Sequence, residues 1–331
     1  MEALPEHGGT DAAGFARIRA AAEPAVLRGL VADWPVVAAG RGEGVCGYLA
    51  TLAGEVPVPV VRAAPGAEGR LHYDPDLRGP NFLRAPATLR AFLAELERGG
   101  ADTLAVQGLD MREALPGFAA AHAMPVLPAT VAPRAWIGTA AVVATHSDPL
   151  ENLACVAAGH RRFTLFPPEA VGDLYMGPFH VTPAGTPVSM VHLTAPDLAR
   201  YPRFSRALER ARQAELAPGD AIYIPYGWYH HVEALDRVNM LVNYWWDPAR
   251  RDLGSPWDAL MHGMMTLRHL PADQRRAWRA MFDHYVFLAD GDPGEHLPAD
   301  ARGILAAGSP EDIARMRHGL IAALQRGAKP A

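Results

Sequence analysis

Between Trp136 and Trp246 the apolar positions come in short runs broken by Gly, Pro and Asp. Residues 137–145, 153–157, 161–166, 221–225, 230–234 and 238–244 are rich in Val, Ile, Leu and aromatic residues, the composition of strands. Gly159-His160 separates two of them and is short enough to be a hairpin turn. Many short strands with tight turns predict a sandwich or barrel, and residues 175–212 interrupt that rhythm as an insertion. Helical spacing appears on either side. Leu89, Phe92, Leu93 and Leu96 repeat at three and four residues, with Thr88 placed to cap the start and Gly99-Gly100 to end it. After Pro256 strands vanish, and Trp257, Leu260, Met261, Met264 and Met265 are followed by Trp278, Met281, Phe282 and Tyr285. Such a stripe is expected to be core, and it also suits a subunit interface. The class is therefore mainly β with helical additions.

Composition narrows the setting. The 331 residues are 50% hydrophobic and 20% charged, enough to bury a sizeable core. A net charge of -5 gives no electrostatic case for nucleic acid. The two cysteines, Cys46 and Cys155, exclude a disulfide framework and favour a reducing cytoplasm, with Cys155 read as a buried structural thiol. The first residues lack the cationic start and apolar run of a signal peptide, and no apolar run is long enough to span a bilayer, so no membrane association is expected.

The chemistry enters with His146 and Asp148. Two residues apart on a strand, they point to one side and can share an ion. A later strand can bring a third ligand, and His230 and His231 compete for it, since period two lets only one face the metal. Two histidines and a carboxylate on one face leave positions open, as non-haem Fe(II) requires when it binds a co-substrate and O2. His72-Tyr73-Asp74 has the same spacing but lies among Pro75, Arg78, Gly79 and Pro80, a loop. His160, His180 and His192 are read as solvated or hydrogen-bonded.

Three stretches carry a resemblance to a known family. They are Thr145-His146-Ser147-Asp148-Pro149-Leu150-Glu151-Asn152-Leu153; Gly159-His160-Arg161-Arg162-Phe163-Thr164-Leu165-Phe166-Pro167-Pro168; and Gly219 to Pro225 continuing through Trp228-Tyr229-His230-His231 to Asn243-Tyr244-Trp245-Trp246. The chain resembles the cupin-like JmjC family of Fe(II)- and 2-oxoglutarate-dependent oxygenases, which includes the asparaginyl hydroxylase acting on hypoxia-inducible factor. The resemblance implies a double-stranded β-helix (jelly-roll, cupin) core over residues 101–250. An N-terminal α/β lead-in over 1–100 would pack on it, and a helical segment over 251–331 would form a homodimer.

It also implies roles. His230 becomes the third ligand beside His146 and Asp148, and Asn152, Asn243 and Thr145 flank the co-substrate. Arg161 stands where the family usually has a lysine that holds the distal carboxylate of 2-oxoglutarate. Val143 and Ala105 stand where hydroxyl side chains are usual, with Thr145, Thr164 or Gln107 as compensation. Trp228, Trp245 and Tyr226 are expected to wall the substrate pocket, with barrel core as the alternative for the two tryptophans. The implied reaction uses Fe(II), 2-oxoglutarate and O2, releases succinate and CO2, and hydroxylates a protein or peptide side chain. The alternatives are a small-molecule hydroxylase and a cupin-type metal-binding protein without oxygenase activity.

Overall fold

The apolar runs of the middle region assemble into two hydrogen-bonded sheets in the computed structural model, which describes residues 1–42, 44–247, 253–306 and 308–327. In chain order the strands are β1 (Glu2–Ala3), β2 (Glu6–Gly8), β3 (Ala25–Arg28), β4 (Pro57–Ala63), β5 (Arg70–Leu71), β6 (Leu83–Thr88), β7 (Thr103–Asp110) and β8 (Pro133–Gly138). They continue as β9 (Ala141–Ser147), β10 (Glu151–Ala158), β11 (Arg161–Phe166), β12 (Arg212–Leu216), β13 (Ala221–Ile224), β14 (Tyr229–Ala234) and β15 (Asn239–Trp246). Six form the order β1-β12-β11-β14-β9-β5, and nine form β2-β3-β13-β10-β15-β8-β7-β4-β6.

Apolar side chains hold the sheets face to face. Val26, Ala154, Val156, Ile222, Ile224 and Leu241 of the larger sheet share one cluster with Phe163, Leu165, Leu216 and Val232 of the smaller. The other face of the larger sheet is covered by helices, so that Leu153, Cys155, Tyr223 and Val242 pack with Val36, Leu49, Leu89, Phe92 and Leu93. β10 is thus buried at every position, which explains the unbroken apolar run from Leu153 to Ala158 after Glu151 and Asn152. Burial drives the Cys155 thiol far above its usual pKa and the Cys46 thiol up to about 11, so neither is a ready nucleophile. The insertion covers the outer face of the smaller sheet, where Leu174, Val191, Leu193 and Phe204 close over Phe166.

Thr88 caps the helix Leu89–Arg98 by accepting a hydrogen bond from the Ala91 amide, and its four stripe residues are buried. Two expectations need correction. The run 137–145 is two strands in different sheets, because the chain leaves β8 at Gly138 and re-enters at Ala141. At Gly138 the backbones touch, and a Cβ there would lie 2.4 Å from the Leu104 carbonyl oxygen. The first hundred residues, expected to pack on the barrel, also supply strands to both sheets: β2, β3, β4 and β6 to one, β1 and β5 to the other.

Contacts divide the chain after Asp247, and the expected boundary between 250 and 251 lies outside the described residues. Beyond it run the helices Pro256–Thr266, Ala272–Tyr285 and Pro310–Gly327. The stripe expected to be core is exposed, with Met265 at 60% and Trp278 at 45% of full exposure. Among the described residues after 252 only Pro293 and Gly294 are buried. No helix of the described residues is long and apolar enough to cross a membrane.

The hairpin between β10 and β11 gives a test. Gly159 has φ +67°, and a Cβ there would meet Asn239 Oδ1 at 2.4 Å and the Val238 carbonyl at 2.8 Å. Gly159→Ala is expected to lower the unfolding free energy by roughly 1–3 kcal/mol. Urea titration reads the loss, and an unchanged midpoint would show that the turn relaxes freely.

Candidate metal centre and its cavity

The centre is assembled by strand pairing. β9 runs antiparallel to β14 with His146 directly opposite His230, and their ring centroids are 4.3 Å apart. Asp148 follows the end of β9, where its carbonyl oxygen accepts a hydrogen bond from the Gly227 amide in the turn before β14. One ligand atom from each of His146, Asp148 and His230 lies within 4.8 Å of the other two.

The donor atoms suit a cation. His146 Nδ1 lies 2.8 Å from the Ala144 carbonyl oxygen and His230 Nδ1 lies 3.2 Å from that of Trp228. A carbonyl only accepts, so each Nδ1 carries the hydrogen and each Nε2 presents a lone pair. His230 Nε2 and Asp148 Oδ2 then face each other at 3.5 Å as two acceptors, and that oxygen is buried without a hydrogen-bond partner. Burial and the neighbouring His146 hold the His230 imidazole down to about 4, against the opposing pull of Asp148, so it is neutral at physiological pH as a ligand must be. Two imidazoles and a carboxylate fit Fe(II).

These residues line one cavity of about 500 Å³ between the sheets, with Arg161 of β11, Asn152 of β10 and Asn243 and Trp245 of β15 on its wall. Asn243 Nδ2 donates to Asn152 Oδ1 at 2.8 Å, while Asn243 Oδ1 and Trp245 Nε1 are buried without partners. Arg161 is 6% exposed, its Nε has no partner, and one weak hydrogen bond of 3.5 Å joins it to the Trp136 carbonyl. Desolvation pulls its pKa down to about 10, so the guanidinium still carries its charge at neutral pH. A buried cation this poorly matched calls for an anion in the cavity.

Residues 11–252 match the family described as Cupin-like domain. The chain belongs to the cupin-like JmjC family. Similar proteins include the lysine-specific demethylase JMJ31 of Arabidopsis thaliana, 38% identical over 112 residues, which are 34% of this chain and 20% of that protein. The bifunctional peptidase and (3S)-lysyl hydroxylase JMJD7 of Homo sapiens is 34% identical over 130 residues, 34% of this chain and 40% of that protein. HSPB1-associated protein 1 of Rattus norvegicus is 36% identical over 113 residues, 33% of this chain and 23% of that protein. The chain thus spans between a fifth and two fifths of the length of these curated relatives.

Within this JmjC cavity other expected residues divide. His231 neighbours Thr164 across the ladder and does not line the cavity, and both its ring nitrogens are buried without partners. Val143 does line it, although it stands three positions before His146. A bulge explains the parity: β9 carries one extra residue between the pairs Val143–Val232 and His146–His230. Thr145 sits in that bulge and is absent from the cavity wall, and its carbonyl accepts from Ser189 of the insertion at 2.7 Å. Thr164 is also off the wall, bound by Gln213 Nε2 at 2.9 Å, and Ala105 belongs to a cluster with Val61, Leu71 and Phe82. Of the compensating residues only Gln107 reaches the cavity, at a second bulge where Gln107 and Gly108 interrupt the β7–β8 ladder.

Trp228 and Tyr226 are corrected as well. Trp228 packs in the inter-sheet cluster under the Arg212 guanidinium, and with Tyr226 it borders a different depression. Gly227, with φ +76°, lies in the turn that precedes both Trp228 and His230. His72, the decoy, is held by the Ser189 carbonyl at 3.0 Å and stands outside the triad. Residues 182–185 of the insertion line the cavity, and Arg84 does so without having been expected. Arg84 had no signal, being one cation in an Ala- and Pro-rich stretch; Phe163 had one, two residues from Arg161 on the same strand.

His146→Ala and Asp148→Ala are each expected to abolish iron retention measured by metal analysis of the purified protein, with the urea midpoint preserved. Asp74→Asn, at the decoy, should retain full iron. Equal iron in all three would refute the triad.

Proposed function

We propose that the protein is an Fe(II)- and 2-oxoglutarate-dependent oxygenase that hydroxylates a protein or peptide side chain and releases succinate and CO2. The observation that carries this reading is Arg161, a buried guanidinium with no carboxylate partner among the described residues, on the wall that also holds the triad. Arginine offers a planar fork to a carboxylate, so it can take the role that lysine has elsewhere in the family. His146, Asp148 and His230 would hold the iron, which when bound supplies the O2 chemistry that inserts oxygen into a C–H bond.

The chain's own residues do the rest. Arg161 neutralises and fixes the far carboxylate of 2-oxoglutarate. Asn243 Oδ1 and the Trp245 indole N–H are free to receive or donate at the cavity wall. Phe163, Ile224, Val232 and Leu241 keep the inner end dry. Val143 contributes no hydroxyl, which leaves Gln107 as a polar group on the opposite wall. The relatives named as a lysyl hydroxylase and a lysine demethylase support a protein side chain as substrate. The rim at Arg84 and Gly185 is exposed, which suits an extended chain better than a sealed metabolite.

We also propose that the C-terminal helices bind a second copy of this chain. Leu260, Met261, Met265, Trp278, Met281 and Tyr285 are all more than 40% exposed, a larger apolar display than a monomer usually carries.

Two measurements test these readings. Iron-loaded protein incubated with 2-oxoglutarate in air should release succinate, and Arg161→Gln should weaken 2-oxoglutarate binding roughly 30- to 3000-fold, the equivalent of about 2–5 kcal/mol. Unchanged affinity in that variant would remove Arg161 from the co-substrate site. Light scattering should give twice the chain mass, falling to one chain for Trp278→Glu with Met281→Glu; a monomeric wild type would end the dimer proposal.

A further inference from the structure

Arg84 lies on β6, the terminal strand of the larger sheet, and is exposed while its side chain reaches the cavity rim. Two contacts hold it. The guanidinium carbon sits 5.1 Å from the Phe82 ring centroid, and Nη2 donates to the Pro183 carbonyl oxygen at 3.3 Å. Pro183 belongs to the loop 182–185, which forms part of the same rim. One carbonyl occupies one of five donors, so most of the fork remains free. On the neighbouring strand Arg62 is bound by both Glu95 and Asp102, whereas no carboxylate pairs with Arg84 among the described residues.

Charge balance gives that position a meaning. Among the described residues Asp148 is the only carboxylate on the cavity wall, and it belongs to the triad; Arg161 is the inner cation. With the occupants proposed above, a divalent iron, the Asp148 carboxylate, the Arg161 guanidinium and the 2-oxoglutarate dianion cancel. The rim then carries one uncompensated positive charge, oriented before the substrate arrives. We propose that Arg84 selects substrates that carry a carboxylate beside the group to be oxidised, as an acidic residue flanking the target side chain does. This inference rests on the oxygenase reading of the same cavity. Phe82 and Pro183 keep the fork from collapsing onto the surface, so little side-chain freedom is lost when a carboxylate docks.

The test is one of binding. Full-length protein, loaded with Fe(II) and 2-oxoglutarate under argon, is immobilised and offered degenerate peptide pools whose fixed flanking residues are Asp and Glu, Asn and Gln, or Lys and Arg. Retained peptides are quantified by mass spectrometry. The acidic pool should be enriched about three- to tenfold over its amide counterpart, as a charge-assisted pair at a partly exposed site allows. Arg84→Gln should abolish the enrichment and Arg84→Glu should turn it toward the basic pool, while urea midpoints stay within error of wild type. Displacement of the acidic peptides by free glutarate would identify a small carboxylate as sufficient, and failure to displace them would identify the peptide as the source; both support the carboxylate. No acidic enrichment by wild type, including no retention of any pool, or enrichment that survives Arg84→Gln, overturns the assignment. Iron content and 2-oxoglutarate binding of the wild type are scored in parallel. Their loss would count against the oxygenase reading, and their presence without acidic enrichment against Arg84 alone.

Discussion

The antiparallel pairing of β9 with β14 is the constraint on which the site depends. It sets His146 opposite His230, and the turn before β14 receives the Asp148 carbonyl, so one stretch of ladder gathers three ligands from two distant segments. The bulge in β9 is part of that arrangement. In a regular ladder, residues three positions apart such as Val143 and His146 would lie on opposite faces, and the cavity would lose either its wall or its ligand.

That ladder is itself held by burial on both sides. The inter-sheet cluster presses β14 and β11 against the larger sheet, and the insertion covers their outer face. Rigid support of this kind allows the cavity to keep polar groups that are poorly satisfied. Arg161, Asp148, Asn243 and Trp245 each leave a buried polar atom without a partner there. Such groups cost stability, on the order of 1–3 kcal/mol each when nothing meets them. Their convergence on one cavity from both sheets is the physical mark of a place built for ligands.

Much of this was legible in the chain. The runs 153–157 and 161–166 fall inside strands, Thr88 and Gly99 bound their helix, and His146, Asp148 and His230 meet. The misreadings share a cause. Period two places residues correctly only while the ladder is regular, so Thr145 was expected at the cavity and is in a bulge. Trp228 was expected at the wall, but it packs in the inter-sheet cluster and borders a different depression. Hydrophobic periodicity identified the C-terminal helices yet could not tell a covered stripe from an exposed one, since both need the same spacing.

The sequence by itself determined the element types, the fold class and the residue kinds able to hold iron, because these follow from local spacing and chemistry. The tertiary structure decided which strands are neighbours, that His230 and not His231 lines the cavity, that Arg161 is buried with no carboxylate partner among the described residues, and that Arg84 stands on the rim. Those facts depend on long-range register and on what covers each face, and neither is written in the spacing of any single segment.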